Sequence, residues 1–198
     1  MSTVKSKKLQ VGTDATSSNN FTIYQPSTPD GTLRIGVGNA DNPTEVARFN
    51  NNGIQPTKSG LFMAWNNSAT TVNNATNTKI PFTTENFDND SFYDATNSKY
   101  IPQIAGWYMV GCRMQMQFTA TAGEFFCHLY KNGSSYKRLE GQPCVNGTYS
   151  SPQSLIPVYM NGSTDYLEIY AWQTSGVSRT NNNGDGISYF YGYLLQQA

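Results

Sequence analysis

The chain has 198 residues, of which 13 are basic and 13 acidic, so its charge is balanced and sparse. Proteins that bind nucleic acid or anionic membranes through charge need a basic excess, so neither is an expected partner. Asn, Thr, Ser, Gly and Tyr are frequent, a composition that disfavours long helices and favours strands joined by turns.

The N-terminus carries no recognisable targeting segment. Its lysines are not followed by an apolar stretch, so a secretory signal is not expected. No apolar run reaches the length of a membrane span, so membrane insertion is not expected either. The three cysteines, Cys112, Cys127 and Cys144, cannot all pair within one chain and are interpreted as reduced, with Cys144 pairing between chains as the alternative.

The first part of the chain is too poor in large apolar residues to fold alone. Residues 1–8 predict a flexible arm, and residues 9–56 predict short strands separated by turns. That segment has no cysteine, and small domains of this size need disulfides, metals or oligomerisation. We therefore expect neighbouring copies of the chain to complete its core. Residues 57–60 are the predicted linker.

Residues 61–198 predict a second domain whose longest strand spans residues 107–118. One parity of this strand is apolar, and the other carries Arg113, Gln115 and Gln117, so one face is expected to be buried. Further strands are predicted at residues 123–131, 153–160, 165–172 and 187–195, with a hairpin turn at Asn132-Gly133. Residues 179–186 predict a polar loop. The pattern favours an all-β sandwich or jelly roll without useful helices.

Four blocks of this domain carry a family resemblance. They are residues 86–88, residues 100–108 (Tyr-Ile-Pro-Gln-Ile-Ala-Gly-Trp-Tyr), residues 129–133 (Leu-Tyr-Lys-Asn-Gly) and residues 188–195 (Ser-Tyr-Phe-Tyr-Gly-Tyr-Leu-Leu). In this order they resemble the C1q/tumour-necrosis-factor-like trimeric jelly roll. The resemblance implies a homotrimeric knob, and it says little about the ligand.

The front of the chain resembles segments of bacteriophage fibre and virion proteins. The likeness rests on residues 24–26, 30–36 and 47–54. It implies a virion protein made in the host cytoplasm, with residues 9–56 as an intertwined trimeric attachment or shaft segment that contacts other virion proteins. The expected function is a tail, neck or head fibre whose knob binds the bacterial surface during adsorption. The alternative is a purely structural capsid decoration or head-fibre protein.

An apolar seam is needed where three such knobs meet. Its predicted residues are Tyr108, Tyr189, Tyr191 and Tyr193. The alternative is that these tyrosines fill the core of one protomer, because parity defines faces without saying which face points outward. The polar parity with Arg113 and Gln115 would then face solvent or the threefold axis.

Polar loops are the predicted host-binding elements. Their representative residues are Asn146, Tyr149, Arg179 and Asn182, since Asn, Ser and Tyr combine hydrogen bonding with stacking surface, as in antibody paratopes. A host-surface polysaccharide or protein is the expected ligand. The alternative is that these loops only solvate the surface.

Asp88, Asp90 and Asp94 form the densest cluster of oxygen ligands and are the candidate Ca²⁺ site, although a solvated loop is the favoured interpretation. No other cofactor is expected. His128 is the one histidine, and its strand neighbour Cys127 points to the opposite face, so the two cannot chelate one ion. No catalytic motif is present, and the protein is not expected to be an enzyme.

Overall fold

The computed structural model describes residues 7–56, 58–119 and 123–198. The prediction of an all-β protein is confirmed, since the helical structure in those ranges is a short 3-10 turn at Ser17–Asn19. Among the described residues, no helix is long and apolar enough to cross a membrane. The chain forms two compact units, one ending at Lys58 and the other covering Ser59–Ala198. This division falls inside the predicted linker of residues 57–60.

The first unit is an antiparallel meander in which each strand pairs with the next one along the chain. Its strands are β1 (Lys8–Val11), β2 (Phe21–Tyr24), β3 (Leu33–Val37), β4 (Thr44–Asn50) and β5 (Gly53–Pro56). Most of the predicted arm, residues 1–6, lies outside the described residues, while Lys8 already belongs to β1.

The second unit contains fifteen further strands. They are β6 (Phe62–Trp65), β7 (Thr71–Val72), β8 (Thr78–Lys79), β9 (Thr84–Asp88), β10 (Tyr93–Asp94), β11 (Lys99–Tyr100), β12 (Ala105–Arg113), β13 (Gln115–Gln117), β14 (Glu124–Lys131), β15 (Ser134–Pro143), β16 (Tyr149–Ser150), β17 (Gln153–Asn161), β18 (Leu167–Gln173), β19 (Arg179–Asn182) and β20 (Tyr189–Gln197).

These strands build the two layers of a sandwich. The front sheet has the order β17-β12-β20-β6-β9, and the four-stranded sheet β16-β13-β19-β7, called the front extension, continues the same strand order. The back sheet has the order β10-β11-β18-β14-β15, with β8 also paired to β18. All pairings between named strands are antiparallel, and the hairpin predicted at Asn132-Gly133 joins β14 to β15.

Side chains of both sheets fill one hydrophobic core. Phe62 lies near its centre, where its ring stacks on Tyr100 with centroids 4.1 Å apart and meets Phe190 edge-on at 4.9 Å. From the back sheet, Phe125 and Leu129 are fully buried in the same cluster. Aromatic pairs in these geometries stabilise a core beyond the area that they bury.

The alternation predicted for residues 107–118 is confirmed. The buried residues on its apolar parity are Tyr108, Val110, Cys112, Met114, Met116 and Phe118. The strand itself is broken, because β12 ends at Arg113 and β13 begins at Gln115. At the break, the Met114 amide donates to the Pro152 carbonyl, between β16 and β17.

The prediction of a polar loop over residues 179–186 is wrong in its first half. Arg179–Asn182 is β19, which pairs with β13 and β7. Its alternation is hidden in the sequence because the inward residue, Asn181, is polar. That side chain is buried and forms hydrogen bonds to the Asn66 side chain and the Thr70 amide.

Candidate assembly and binding surfaces

The front sheet exposes an apolar surface on the side that points away from the core. In β12 this side carries Trp107, Met109 and Gly111, which alternate with buried residues. The strand registers place these further residues on the same side: Met63, Trp65, Phe87, Leu155, Pro157, Tyr159, Tyr189, Tyr191 and Tyr193. We call this surface the aromatic face. A sheet face in water is normally polar, so this one is unusual for an isolated protomer.

Three of the predicted seam residues, Tyr189, Tyr191 and Tyr193, lie on the aromatic face as successive outward residues of β20. Tyr193 is 37% exposed, and the neighbouring Trp107 is 46% exposed. The Tyr191 ring lies over Gly111, where a Cβ atom would come within 3.0 Å of its Cζ and hydroxyl oxygen. The three tyrosines are therefore placed where another chain can contact them.

Tyr108 has to be removed from the predicted seam. Its side chain is fully buried in the protomer core, and its hydroxyl donates to the Ile104 carbonyl at 2.9 Å. Burial raises the pKa of Tyr108 to about 12. Because Tyr108 alternates with the outward residues of β12, it belongs to the inner face, and the core alternative applies to it.

The polar side chains that point outward from β12 and β13 form hydrogen bonds within the protein. The Arg113 guanidinium donates to the carbonyls of Gly186 and Ile187, both at 2.8 Å. The Gln115 side-chain oxygen accepts a hydrogen bond from the Asn182 amide at 2.9 Å. The outward surface thus changes from apolar on the front sheet to polar and internally hydrogen-bonded on the front extension.

The predicted host-binding residues are only partly brought together. Tyr149 pairs with Gln117, and Asn182 pairs with Gln115, so both flank β13 on the front extension. Tyr149 is 55% exposed. Arg179 is tied back through hydrogen bonds to Thr119 at 2.6 Å and Ser175 at 3.2 Å.

The fourth predicted residue, Asn146, lies in the exposed turn between β15 and β16. Because Tyr149 and Asn182 flank β13 on the front extension, they form the centre of a polar surface, which we call the polar patch. Arg179 helps to hold the strand that carries Asn182.

The three aspartates of the predicted Ca²⁺ site bind different backbone groups instead of converging. Asp90 accepts from the amides of Ser59 and Gly60 at 2.8 and 2.7 Å. Asp88 accepts from the Tyr93 amide at 2.7 Å. Asp94 accepts from the backbone and side-chain amides of Asn97, which hold the pKa of its carboxyl below the ordinary value. In the described ranges, no group of three or more His, Cys, Asp or Glu side chains is arranged to hold a metal ion.

The two sides of the first unit's sheet differ sharply. The registers place all of the following residues on one side, which we call the N-terminal apolar face: Leu9, Val11, Phe21, Ile23, Leu33, Ile35, Val37, Ala47, Phe49 and Ile54. Leu9 is 59% and Ile54 68% exposed. Among the described residues of this unit, the buried ones are only Asn20, Thr22, Gly36 and Gly38.

The opposite, polar side of that sheet is held by hydrogen bonds and ion pairs. Asn20 donates to the Asp14 carbonyl and the Asn39 side chain, both at 2.8 Å, and so anchors two loops. Arg34 forms ion pairs with Asp30 and Glu45 at 2.5 and 2.9 Å. The expectation that this segment cannot supply its own hydrophobic core agrees with the absence of any buried apolar side chain among its described residues.

The back sheet carries a feature that the sequence analysis missed. The outward residues of β14 and β18 include Phe126, His128, Tyr130, Tyr170 and Trp172, which we call the aromatic row. Phe126 stacks on Trp172 with centroids 4.5 Å apart, and Tyr130 stacks on Tyr170 at 3.8 Å. The signal was a ring at every second position of two neighbouring strands.

Comparison with known proteins supports the fold through structure alone. No family model matches the sequence, and no curated protein sequence matches it. The globular domain of zebrafish complement 1qA matches with a TM-score of 0.54 and 11% identity, over 71% of this chain and 100% of that one.

Two tumour-necrosis-factor relatives match similarly. Eiger TNF from S. frugiperda has a TM-score of 0.54 at 12% identity, over 71% of this chain and 95% of that one. Murine APRIL has a TM-score of 0.55 at 10% identity, over 70% of this chain and 100% of that one. The predicted C1q/TNF-like jelly roll is confirmed as a fold. At these identities the likeness carries no function.

Proposed function

We propose that the protein is a homotrimeric bacteriophage fibre protein whose jelly-roll knob binds the bacterial surface during adsorption. The observation that carries the proposal is the pair of uncovered apolar sheet faces, one in each unit. Contiguous exposed apolar patches of this kind mark interaction surfaces in soluble proteins. The virion setting is supported by the resemblance of residues 24–54 to phage fibre segments.

In the knob, three copies meet through the aromatic face around a threefold axis. Trp107 and Tyr159 pack edge-to-face at 5.7 Å, and Leu155, opposite Gly111 on the same face, is 41% exposed. Tyr and Trp are enriched at interfaces because they bury a large area while their polar tips keep a partner. Tyr189, Tyr191 and Tyr193 then belong to the seam.

In the first unit, copies of the N-terminal apolar face cover one another. Water-exposed Leu, Val, Ile and Phe in one continuous sheet face are unfavourable, and each buried methylene contributes about 0.8 kcal/mol. The ion pairs of Arg34 and of Arg48 with Glu45 lie on the opposite side and stay in water. This assembled segment forms the shaft that attaches the knob to other virion proteins.

Host binding is assigned to the polar patch around Tyr149 and Asn182. An exposed tyrosine and amide side chains on a rigid sheet offer stacking surface and hydrogen bonds at a low entropy cost. The expected ligand is a component of the bacterial surface. No catalytic step is part of the proposal.

The test combines mass with cell binding. Native mass spectrometry of the full chain at micromolar concentration is expected to show a trimer, and fluorescently labelled trimer is expected to coat bacterial cells and compete with phage. A monomer at that concentration contradicts the assembly. A trimer that coats none of a panel of bacterial strains leaves only the structural decoration role.

The N-terminal assembly has its own test in a matched pair of thiol variants. Lys8 and Leu9 are neighbours in β1 that point to opposite sides, and the three native cysteines are buried. In Leu9→Cys, a maleimide is expected to react about ten-fold or more slowly than in Lys8→Cys, because packing protects the thiol. Equal reaction rates contradict coverage, since Leu9 is 59% exposed within one protomer.

A further inference from the structure

We propose that the aromatic row on the back sheet is a saccharide-binding surface that takes a short stretch of uncharged polysaccharide. The inference rests on the proposed host-surface binding and gives it a ligand class and a second site. It starts from the position of the row, on the layer of the knob opposite the aromatic face. Assembly through the front sheet would leave this layer facing solvent.

The row extends across the two neighbouring strands β14 and β18. Phe126 pairs with Trp172, His128 with Tyr170, and Tyr130 with Glu168. At one end, a lysine ammonium lies over another ring, Lys99 over Tyr166, 4.0 Å from its centroid. Along β14, the four residue steps from Phe126 to Tyr130 span roughly 13 Å. That length suits several linked sugar units better than a single compact ligand.

The polar atoms of these rings have no hydrogen-bond partner in the part of the chain that the structure describes. Among the described residues, none forms a hydrogen bond with the hydroxyl of Tyr130 or Tyr170, or with the indole nitrogen of Trp172. These side chains are half-buried on the surface. Tyrosine and tryptophan normally find a partner for their polar atom when they are covered. The row therefore offers two hydroxyl groups and one N–H donor to a ligand.

The stacking leaves ring surface available. The Phe126 side chain is only 5% exposed, because its ring is covered by the Trp172 ring and by the Arg138 guanidinium, which lies 3.9 Å from its centroid. It serves to support Trp172. Stacking between Tyr130 and Tyr170 uses only one face of each ring. A pyranose has C–H groups on its faces and hydroxyls at its edge, so it can pack on such rings and satisfy their polar tips together.

The charges around the row favour an uncharged ligand. Arg138 is paired with Glu124 at 2.7 Å, and Lys79 with the buried Glu168 at 2.5 Å. Burial, with a further contribution from Arg138, lowers the pKa of His128, which favours the uncharged imidazole. Its Nδ1 shares a hydrogen bond with the Asn77 side chain at 2.9 Å. The charges of Arg138 and Lys79 are thus balanced within the protein, and the Lys99 ammonium lies against the Tyr166 ring.

The binding experiment uses the full chain labelled with 5-fluorotryptophan. The protein has three tryptophans, and Trp172→Phe assigns the resonance of Trp172. In ¹⁹F NMR titrations with neutral oligosaccharides of glucose, galactose, mannose, rhamnose and N-acetylglucosamine, at least one is expected to shift the Trp172 signal saturably and leave Trp65 and Trp107 unchanged. If none shifts the Trp172 signal, the proposal is overturned.

Two variants test the site itself. Tyr170→Ala is expected to weaken the binding about ten-fold, which corresponds to about 1.4 kcal/mol. Tyr170→Phe keeps the stacked ring and should lose less. Tyr24→Ala, on the polar side of the first unit's sheet, is the matched control and should bind unchanged. Trimer mass and thermal unfolding check that each variant is folded, and equal losses in Tyr24→Ala and Tyr170→Ala contradict the site.

A cell assay separates this inference from the proposed function. If wild-type protein coats bacterial cells, periodate oxidation of surface sugars should abolish the coating and protease treatment should not. Loss after protease alone points to a protein ligand and overturns the inference while host binding stands. If no cells are coated, the proposed function fails, and the oligosaccharide titration still decides whether the row binds sugar.

Discussion

The two units of the chain differ in whether one protomer can bury its own apolar side chains. The jelly roll buries large side chains such as Phe62, Tyr100 and Phe190 completely between its own sheets. In the first unit, whose sheet is equally regular, the described buried residues are two polar side chains and two glycines. Strand pairing and hydrogen bonds are present in both units, but among the described residues only the second unit has a hydrophobic core.

The difference teaches that regular secondary structure is no measure of independent stability. On folding, polar groups exchange water for protein partners, so hydrogen bonds contribute modestly, whereas apolar burial drives folding. A protomer alone would thus hold a stable knob and a marginal first unit. Assembly would give the first unit the buried apolar layer that the knob already has within one protomer.

The largest expected effect lies in the first unit. Ile23→Asp places a carboxylate in the middle of the N-terminal apolar face, where three copies would surround it. We expect a loss of more than about 4 kcal/mol per chain, because an unpaired charge is buried. Hydrogen exchange of the full chain should show that amides of β2 and β3 lose protection while the knob keeps its own.

The control for that variant is Asn51→Asp, in the exposed turn between β4 and β5, which should leave exchange unchanged. Were the face exposed to water in the native protein, Ile23→Asp would cost only about 0.5 kcal/mol. Normal protection in Ile23→Asp would therefore remove the contrast between the units.

A slightly smaller effect is expected in the knob. Phe190→Ala removes a fully buried ring that contacts Phe62, Phe82 and Tyr93. The cavity should cost about 3–5 kcal/mol, measured by denaturant unfolding of the knob transition. Leu195→Ala, 57% exposed on the same strand, should cost about 0.5 kcal/mol or less. Similar losses for both variants would mean that the core is not centred on Phe190.

An intermediate effect is expected where the second unit begins. Asp90→Ala leaves the amides of Ser59 and Gly60 without their acceptor, at a cost of about 1–3 kcal/mol. Thermal unfolding should show this loss, whereas Asp185→Ala, in an exposed loop, should show almost none. Millimolar Ca²⁺ is expected to leave the wild-type melting temperature unchanged. A calcium-dependent rise that Asp90→Ala abolishes would restore the predicted metal site.

The smallest effect is a pH dependence. Burial raises the pKa of the Asp165 carboxyl, but hydrogen bonds from Asn132 and Lys131 outweigh it, so the pKa lies below the ordinary 3.8. Stabilisation from this group is complete above pH 3.8 and is lost as the pH falls through the lower folded-state pKa. Urea unfolding between pH 6 and 2 should be less pH-dependent in Asp165→Asn. An identical pH profile would contradict the role of this carboxylate.

Much of the fold could be predicted because period-two alternation is a local property of the chain. The parity of residues 107–118 identified the buried side correctly, and the Asn132-Gly133 hairpin followed from turn chemistry. The position of Tyr108 relative to Tyr191 did not follow, because they lie on different strands and parity does not relate one strand to another. The registers place Tyr108 inside and Tyr191 outside.

The missed features share a physical cause. β19 escaped notice because Asn181 satisfies its buried amide through Asn66, a residue far away in sequence. The carboxylates of Asp88, Asp90 and Asp94 are dense in sequence, yet each binds a backbone amide of its own. The aromatic row depends on β14 lying beside β18, a pairing that no local pattern encodes.

Gly111 leaves room for the Tyr191 ring in the middle of the aromatic face. With no side chain there, the Tyr191 ring lies down across the strand instead of standing up from it. A flat centre would let the backbones of adjoining copies come nearer to the axis than projecting rings would allow. Gly111 would thus set the distance between the subunits. A methyl group at this position would meet the Ser154 carbonyl oxygen, displace the Tyr191 ring outward and widen the whole trimer.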